Sequence, residues 1–470
     1  MKRLFIALIL LLLARCAYGQ GYPFGWTKVG QSTGFSSLCR GEDPNGRYVD
    51  DAMITTADET FSCNQIIPWS GGAQFLDRSG NPCFAVLGGG HTDYHGNEVN
   101  VLCGLAGGTP TWTQPLQPTV PVPCHGSISG CKGYGGLNWE GECAPPDQHS
   151  SFLVFTAGGI PVTVCPTSGV PPAPSSRHTY NTLQYVPGTP GLIYMFGGAV
   201  NNNGGLSSDL WTLDPVSHTY AIRKTQLATC SGGNCLRYGL VPGVGIASAP
   251  PVTAYNPING HILVHDGSST LYDFDPSLSA RCGRSSTPGP CWTKLVTNTH
   301  KIVDGYTAAV DPVNNLLVAA SSYCVFPCSN AGQTINVYNL GSPGRDATSW
   351  NASTCDLVYR NGGIDWDSAL GLMVIYPGGG NDLELLNTGG ATKVTPWGSI
   401  PSHQCLDVRL NTKSSPVKGA DYPQDPDGGY RGTFGRFRYL PTINAFLLVN
   451  SSYRTAWIGS LQTGPPDHKP

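Results

Sequence analysis

The sequence predicts an all-β protein assembled from repeated four-stranded units, and three observations predict it. Glycine and proline (61 and 39 of 470 residues) fill about a fifth of the chain, where about 12% is usual. Charged residues are only 12%, about half the common share. A pattern of apolar strand, Gly-Gly, second strand with Trp and closing strand recurs along the chain. This composition excludes helical bundles and coiled coils, which need long breaker-free runs of Ala, Glu, Lys and Leu. The glycines follow no three-residue period, which excludes collagen. With 40% hydrophobic residues and a net charge of −3, the chain carries enough apolar surface to offset its entropy.

The first segment reads as a secretory signal. Lys2 and Arg3 precede the apolar run Leu4 to Ala14, and Ala17-Tyr18-Gly19 supplies small residues at the cleavage positions. The apolar run is shorter than the 18 to 20 residues a membrane span needs. Residues 1–19 are therefore expected to be removed, leaving residues 20–470 as a single domain, extracellular or periplasmic, with no membrane contact in the mature form. Loss of Lys2, Arg3 and Arg15 takes the net charge to −6 (24 basic against 30 acidic residues), and loss of Cys16 leaves an even 16 cysteines. Close pairs such as Cys230/Cys235, Cys324/Cys328, Cys282/Cys291 and Cys124/Cys131 read as local disulfides. No Cys-x-x-Cys knuckle points to zinc. The sparse, acidic charge offers no basic stripe, so nucleic acid is not expected as a partner.

The second unit sets the template. His178 to Pro187 alternates and ends at a Pro-Gly turn, Leu192 to Gly198 is apolar and ends in Gly-Gly, Asp209 to Pro215 carries Trp211, and Tyr220 to Arg223 closes the unit. A first unit runs through Ala73 to Asp77, Cys83 to Gly90, Glu98 to Leu102 and Thr111 to Thr113. A third runs through Pro251 to Pro257, His261 to His265, Thr270 to Phe274 and Cys291 to Leu295. The fourth and fifth span Tyr306 to Trp350 and Gly363 to Trp397. The sixth, Gly435 to Ile458, ends one strand short, and Gly25 to Val29 near the N-terminus carries the Trp-Thr that closes units one and three. A ring closed by that strand removes the open edges of a fan of sheets. Insertions are expected at about 119–176, where a seventh unit could hide, and at about 399–430, which shows no sustained strand pattern. Trp112, Trp211, Trp292, Trp350 and Trp397 recur near unit ends and read as packing between units.

With Gly88-Gly89 and Gly197-Gly198 at strand ends, and Trp211 and an Asp-Pro turn downstream, the chain resembles the kelch-type β-propellers, the superfamily of the galactose oxidase central domain. The resemblance implies a six- or seven-bladed propeller of four-stranded antiparallel blades, with strands a to d running outward from a central channel. It implies no activity, because propellers host many. A copper-radical oxidase would need two His and two Tyr ligands and a cross-linked Cys. No arrangement here identifies them, and the even cysteine count leaves no spare thiol.

In a propeller the b–c loops and d–a connections share one face, where ligands usually meet the channel. Residues 91–98 form the densest polar cluster there, with His91, Tyr94, His95 and two carboxylates. Blade two adds Arg177, His178 and Tyr180. His91, His95, Tyr94, Arg177, His178 and Tyr180 are the candidate catalytic set, because a general base, a general acid and a charge-stabilising cation are what β-elimination from a uronic acid requires. His265, Asp266, Asn381, Arg436 and Trp366 are candidate substrate contacts. Arg436 and Arg438 alternate with Phe437 and Tyr439, so the two arginines share one strand face, lining the channel or meeting a neighbouring blade. The bland alternative, in which the histidines and arginines only brace loops, stays open at this point. The expected function is a lyase of acidic polysaccharide, a likeness to propeller lyases that is architectural only. The alternative is a non-catalytic propeller binding glycan or protein. The partner expected is a polysaccharide or glycan and the expected state a monomer. No cofactor or metal is required, and a calcium ion is compatible.

Overall fold

The computed structural model describes residues 22–32, 34, 35, 38, 66, 67, 69–88, 98–116, 174, 177–200, 205–222, 251–266, 270–281, 291–297, 307–322, 333–342, 344, 347–351, 353–355, 362–411, 413–424 and 432–462. Strand β1 (Gly25–Val29) comes first and belongs to the last blade. Blade one is β2 (Gly72–Leu76), β3 (Pro82–Val86), β4 (Val99–Cys103) and β5 (Thr111–Leu116). Blade two has a divided inner strand, β6 (Arg177–His178) and β7 (Leu183–Val186), followed by β8 (Leu192–Val200), β9 (Gly205–Asp214) and β10 (Thr219–Ile222). Blade three is β11 (Val252–Asn256), β12 (His261–His265), β13 (Thr270–Phe274) and β14 (Trp292–Thr297). Blade four is β15 (Thr307–Asp311), β16 (Leu316–Ser322), β17 (Gln333–Asn339) and β18 (Thr348–Asn351).

Blade five departs from the expectation. After β19 (Gly363–Asp367), β20 (Leu372–Tyr376) and β21 (Asp382–Leu386), a small hairpin of β22 (Lys393–Thr395) and β23 (Gly398–Ile400) intervenes, and the outer strand is β24 (Cys405–Arg409). The span expected as a strand-free insertion from about 399 therefore contains the blade's fourth strand. An outer strand faces water along much of its length, so Cys405-Leu-Asp-Val-Arg409 has no continuous apolar run to advertise it. Blade six is β25 (Phe437–Leu440), β26 (Ala445–Leu448) and β27 (Ala456–Ser460), completed by β1 in antiparallel register from Gly25 opposite Ser460 to Val29 opposite Ala456. The closing strand lies where its Trp-Thr placed it.

The inner strands contact one another in the cyclic order β2, β7, β11, β15, β19, β25 and back to β2. Six antiparallel blades thus form a closed β-propeller, and the described residues include no α-helix. The region of a possible seventh unit, about 119–176, lies outside the described residues apart from Pro174.

Packing follows the ring. Each of six apolar clusters fills the wedge between two neighbouring blades. Middle strands β3, β20 and β26 are buried at every residue because a blade covers each face. Trp112 (blades six and one), Trp211 (one and two) and Trp292 (two and three) are buried in these wedges, with Trp350 and Trp397 packed against two others. The Pro excess has a local cause too. In Asp214-Pro215, Asn256-Pro257, Asp275-Pro276 and Asp311-Pro312 the side-chain oxygen accepts the amide two residues on, at 2.8–3.1 Å, and proline presets the turn between them. The Gly197-Gly198 signal also has a cause. Both residues have positive φ (59° and 121°) where the β8–β9 register shifts, and a Cβ on Gly198 would lie 2.6 Å from the His178 carbonyl oxygen. Only glycine fits there.

Two described disulfides join elements. Cys83–Cys103 links β3 to β4 within blade one, and Cys355–Cys405 ties the loop after β18 to β24, bridging blades four and five. Cys291, at the start of β14, is also disulfide-bonded.

Candidate functional site

The d–a connections of three consecutive blades, six, one and two, converge at one mouth of the channel. Each carries an aromatic residue with a left-handed backbone three positions before β2, β7 or β25: Trp69 (φ 59°), Tyr180 (φ 42°, in the break between β6 and β7) and Phe434 (φ 48°). Left-handed φ costs a bulky residue on the order of 1–3 kcal/mol. It persists here because each residue sits in a tight turn closed by a backbone hydrogen bond, Ser70 to Ile67, Thr182 to Thr179 and Arg436 to Thr433 (2.8–3.2 Å). The connections are also stitched together. Tyr180 N–H donates to the Trp69 carbonyl at 2.8 Å. The Thr179 hydroxyl accepts from Gly71 N–H at 2.7 Å and donates to the Leu87 carbonyl at 3.0 Å.

The turns aim the rings at one another. Trp69 lies 5.9 Å from Tyr180, 6.0 Å from Phe434 and 6.4 Å from His178, centroid to centroid. Tyr180 meets His178 edge to face at 5.8 Å and Phe434 at 5.3 Å. His178 and Phe434 are buried, while Trp69 and Tyr180 are half-buried. Of the candidate catalytic residues, His178 and Tyr180 thus belong to one cluster. His91, Tyr94 and His95 lie outside the described residues.

The two arginines on this face serve the frame. Arg177 is 2% exposed; its Nη1 donates to the Gly197 carbonyl at 3.2 Å. Arg177 and Glu98 act with opposite sign on the buried Tyr220 hydroxyl, whose pKa burial drives strongly upward. Arg436 is fully buried. Its guanidinium donates to the carbonyls of Val449 (2.7 Å), Ile67 (2.6 Å), Gly432 (2.5 Å) and Ser70. Expected as a substrate contact, it instead pins the approach to β2 against blade six.

The remaining candidates are spread out. His265 ends β12 and Asp266 follows it, both buried. The Asp266 carboxylate accepts from Thr270 N–H at 3.1 Å, and the His265 ring lies 6.1 Å from Tyr338. Burial holds the His265 pKa down at about 4, with Asp266 pulling it the other way, so the ring is neutral at pH 7. Asn381 ties blade five to its own outer loop by donating to the Asn411 carbonyl at 3.0 Å. Trp366 lies toward the opposite end of the channel, in a cavity of about 360 Å³ lined by all six inner strands. Among the described residues no group of three or more His, Cys, Asp or Glu could hold a metal ion.

Sequence reasoning missed Trp69 and Phe434. A signal for Phe434 was present: Arg177-His-Thr-Tyr180 and Arg431-Gly-Thr-Phe434 share the pattern Arg-x-Thr-aromatic three residues before β7 and β25. Trp69 follows Ile66-Ile-Pro, which shares nothing with that phrase, and only the fold aligns it.

No known family matches the chain, and no curated protein matches it. Among solved structures it is similar to a structural-genomics protein of unknown function from Bacteroides thetaiotaomicron, at 9% identity and a TM-score of 0.40, over 93% of this chain and 75% of that one.

Proposed function

We propose that this chain is a secreted, kelch-like propeller that binds glycan at the channel mouth formed by Trp69, His178, Tyr180 and Phe434. The observation that carries the reading is the trio of aromatic residues held in left-handed turns on three consecutive blades. Three of the seven described non-glycine residues with positive φ gather at this mouth, and all three are aromatic; with Trp69 and Tyr180 half-buried, this supports recognition of a flat apolar surface, and the faces of sugar rings are such surfaces. The disulfides support an oxidising compartment, and the Gly197-Gly198 bulge supports the kelch likeness.

A second reading, β-elimination from a uronate polysaccharide, is favoured by one contact. His178 and Tyr180 stand edge to face at 5.8 Å, the residue types that remove the C5 proton and protonate the leaving oxygen. Against it, Arg177 and Arg436 are buried and engaged with backbone carbonyls, so neither is presented to a substrate carboxylate. Binding therefore leads.

Both readings are tested by incubating the mature protein with neutral and uronate-rich polysaccharides while following retention on the polymer and absorbance of an unsaturated product. Retention without absorbance, weakened by Trp69→Ala, is the expected result. Product formation abolished by His178→Gln would put the lyase first. No retention on any polymer contradicts both.

A further inference from the structure

We infer that the opposite end of the channel is a second ligand site, built to take one neutral hexose ring, free or as the end of a chain. The cavity there, at about 360 Å³, lies in the range of about 300–1,000 Å³ typical of small-molecule pockets. Its rim lies at the a–b turns, at Pro257, Ile258, Pro312, Ser368 and Pro441, and its inner wall reaches Arg438, whose guanidinium meets Asn181 beside the Tyr180 turn.

Its wall has the two components a sugar requires. The first is a donor and an acceptor carried on neighbouring inner strands, β25 and β19. Arg438 is 6% exposed. Its Nη2 is occupied by Asn181 Oδ1 (3.1 Å) and the Leu183 carbonyl (3.4 Å). Among the described residues its Nε and Nη1 have no hydrogen-bond partner, and the side chain lines the cavity. The Asp365 carboxylate interacts electrostatically with Arg438 and is anchored by the Trp366 and Tyr439 amides at 2.9 and 2.8 Å. Each carboxylate oxygen holds a second acceptor direction. Arg438 and Asp365 both line the cavity, so it offers a guanidinium donor to one hydroxyl and a carboxylate acceptor to another. The second component is apolar. Trp366 and Tyr255 line the cavity while packing against the wedges between blades four and five and blades two and three, and the rim is formed by Pro257, Ile258, Pro312 and Pro441, surfaces suited to the C–H face of a sugar.

Charge selects among sugars. Asp365 and Arg438 cancel, so the pocket carries no excess positive charge for a uronate. Burial raises the Asp365 pKa and lowers that of Arg438, each partly offset by the other. An added anion would compete with Asp365 for the same guanidinium.

The test is saturation-transfer NMR and calorimetry with D-glucose, D-galactose, D-mannose, D-galacturonate and a neutral hexose disaccharide on the mature wild type. Trp366→Ala removes the ring. Ser368→Trp obstructs the cavity from an exposed turn position and covers the case in which Trp366→Ala fails to fold. Trp69→Ala reports on the other mouth. Expected is binding of at least one neutral hexose, weakened about tenfold or more by Trp366→Ala and Ser368→Trp and unchanged by Trp69→Ala. Equal affinity for the monosaccharide and the disaccharide identifies the free sugar as ligand; tighter disaccharide binding identifies a chain end. No binding of any neutral probe, tighter binding of galacturonate, or binding lost only in Trp69→Ala overturns the inference. The last outcome would leave the mouth reading intact, and loss of polymer retention alone would leave this one intact.

Discussion

Arg436 and His265 show how far a residue's type can mislead about its task. A charged side chain in an alternating strand reads as exposed, yet Arg436 is fully buried and satisfied by carbonyls drawn from blades six and one. Burying a guanidinium is tolerable only with such saturation. Arg436→Met strands those carbonyls and should cost about 3–5 kcal/mol in urea denaturation; a variant of unchanged stability that loses only glycan affinity would return Arg436 to the binding site. His265 makes a separate prediction. Its folded pKa, about 4, lies below the unfolded value of about 6.5. The unfolded chain therefore binds the extra proton first as pH falls. The stabilisation is whole above about pH 6.5 and is lost on descent through about pH 4. Stability measured across that window should fall by a few kcal/mol in the wild type and distinctly less in His265→Gln; parallel curves would contradict the burial of a neutral ring.

Among elements, what was legible in the sequence were the strands that some steric demand marks. Gly197-Gly198 is visible because only glycine accepts that bulge, and the Asp-Pro and Asn-Pro turns because their side chains cap the turn amides. Trp112, Trp211 and Trp292 are visible because each fills a wedge. The outer strand β24 was hidden because half of it meets water, and the aromatic turns were hidden because strain leaves no compositional trace. Cys355–Cys405 spans 50 residues and crosses between blades, whereas Cys83–Cys103 spans 20 within one sheet. By loop-closure entropy the first stabilises by about 4 kcal/mol and the second by about 3 kcal/mol. Cys355→Ala/Cys405→Ala should therefore lower the urea midpoint at least as far as Cys83→Ser/Cys103→Ser. The reverse order would mean that the staple inside blade one, whose Cys83 is fully buried, acts through packing.

The whole molecule depends on a closure made by its two ends. β1 supplies the fourth strand of blade six, and Trp26 reaches blade five, donating to the Asn381 carbonyl at 3.1 Å and meeting Tyr376 edge to face at 5.9 Å. Gly459 makes this possible, since a Cβ there would lie 2.7 Å from the Trp26 ring. Deleting residues 22–29 opens the β27 edge and unroofs two wedges. The expected result is loss of the cooperative thermal transition or self-association through the bare edge, read by calorimetry and size-exclusion chromatography; an unchanged monomer would show that five blades and three strands suffice. The closed ring also explains why function was less legible than fold. The repeats state where blades begin and end, but the mouth is assembled from three connections more than 100 residues apart in sequence, and no local pattern joins them. Hydroxyl-radical footprinting with and without a retained glycan tests the central claim most directly. The account predicts protection of Trp69 and Tyr180, whereas protection elsewhere with these two residues unchanged would contradict it.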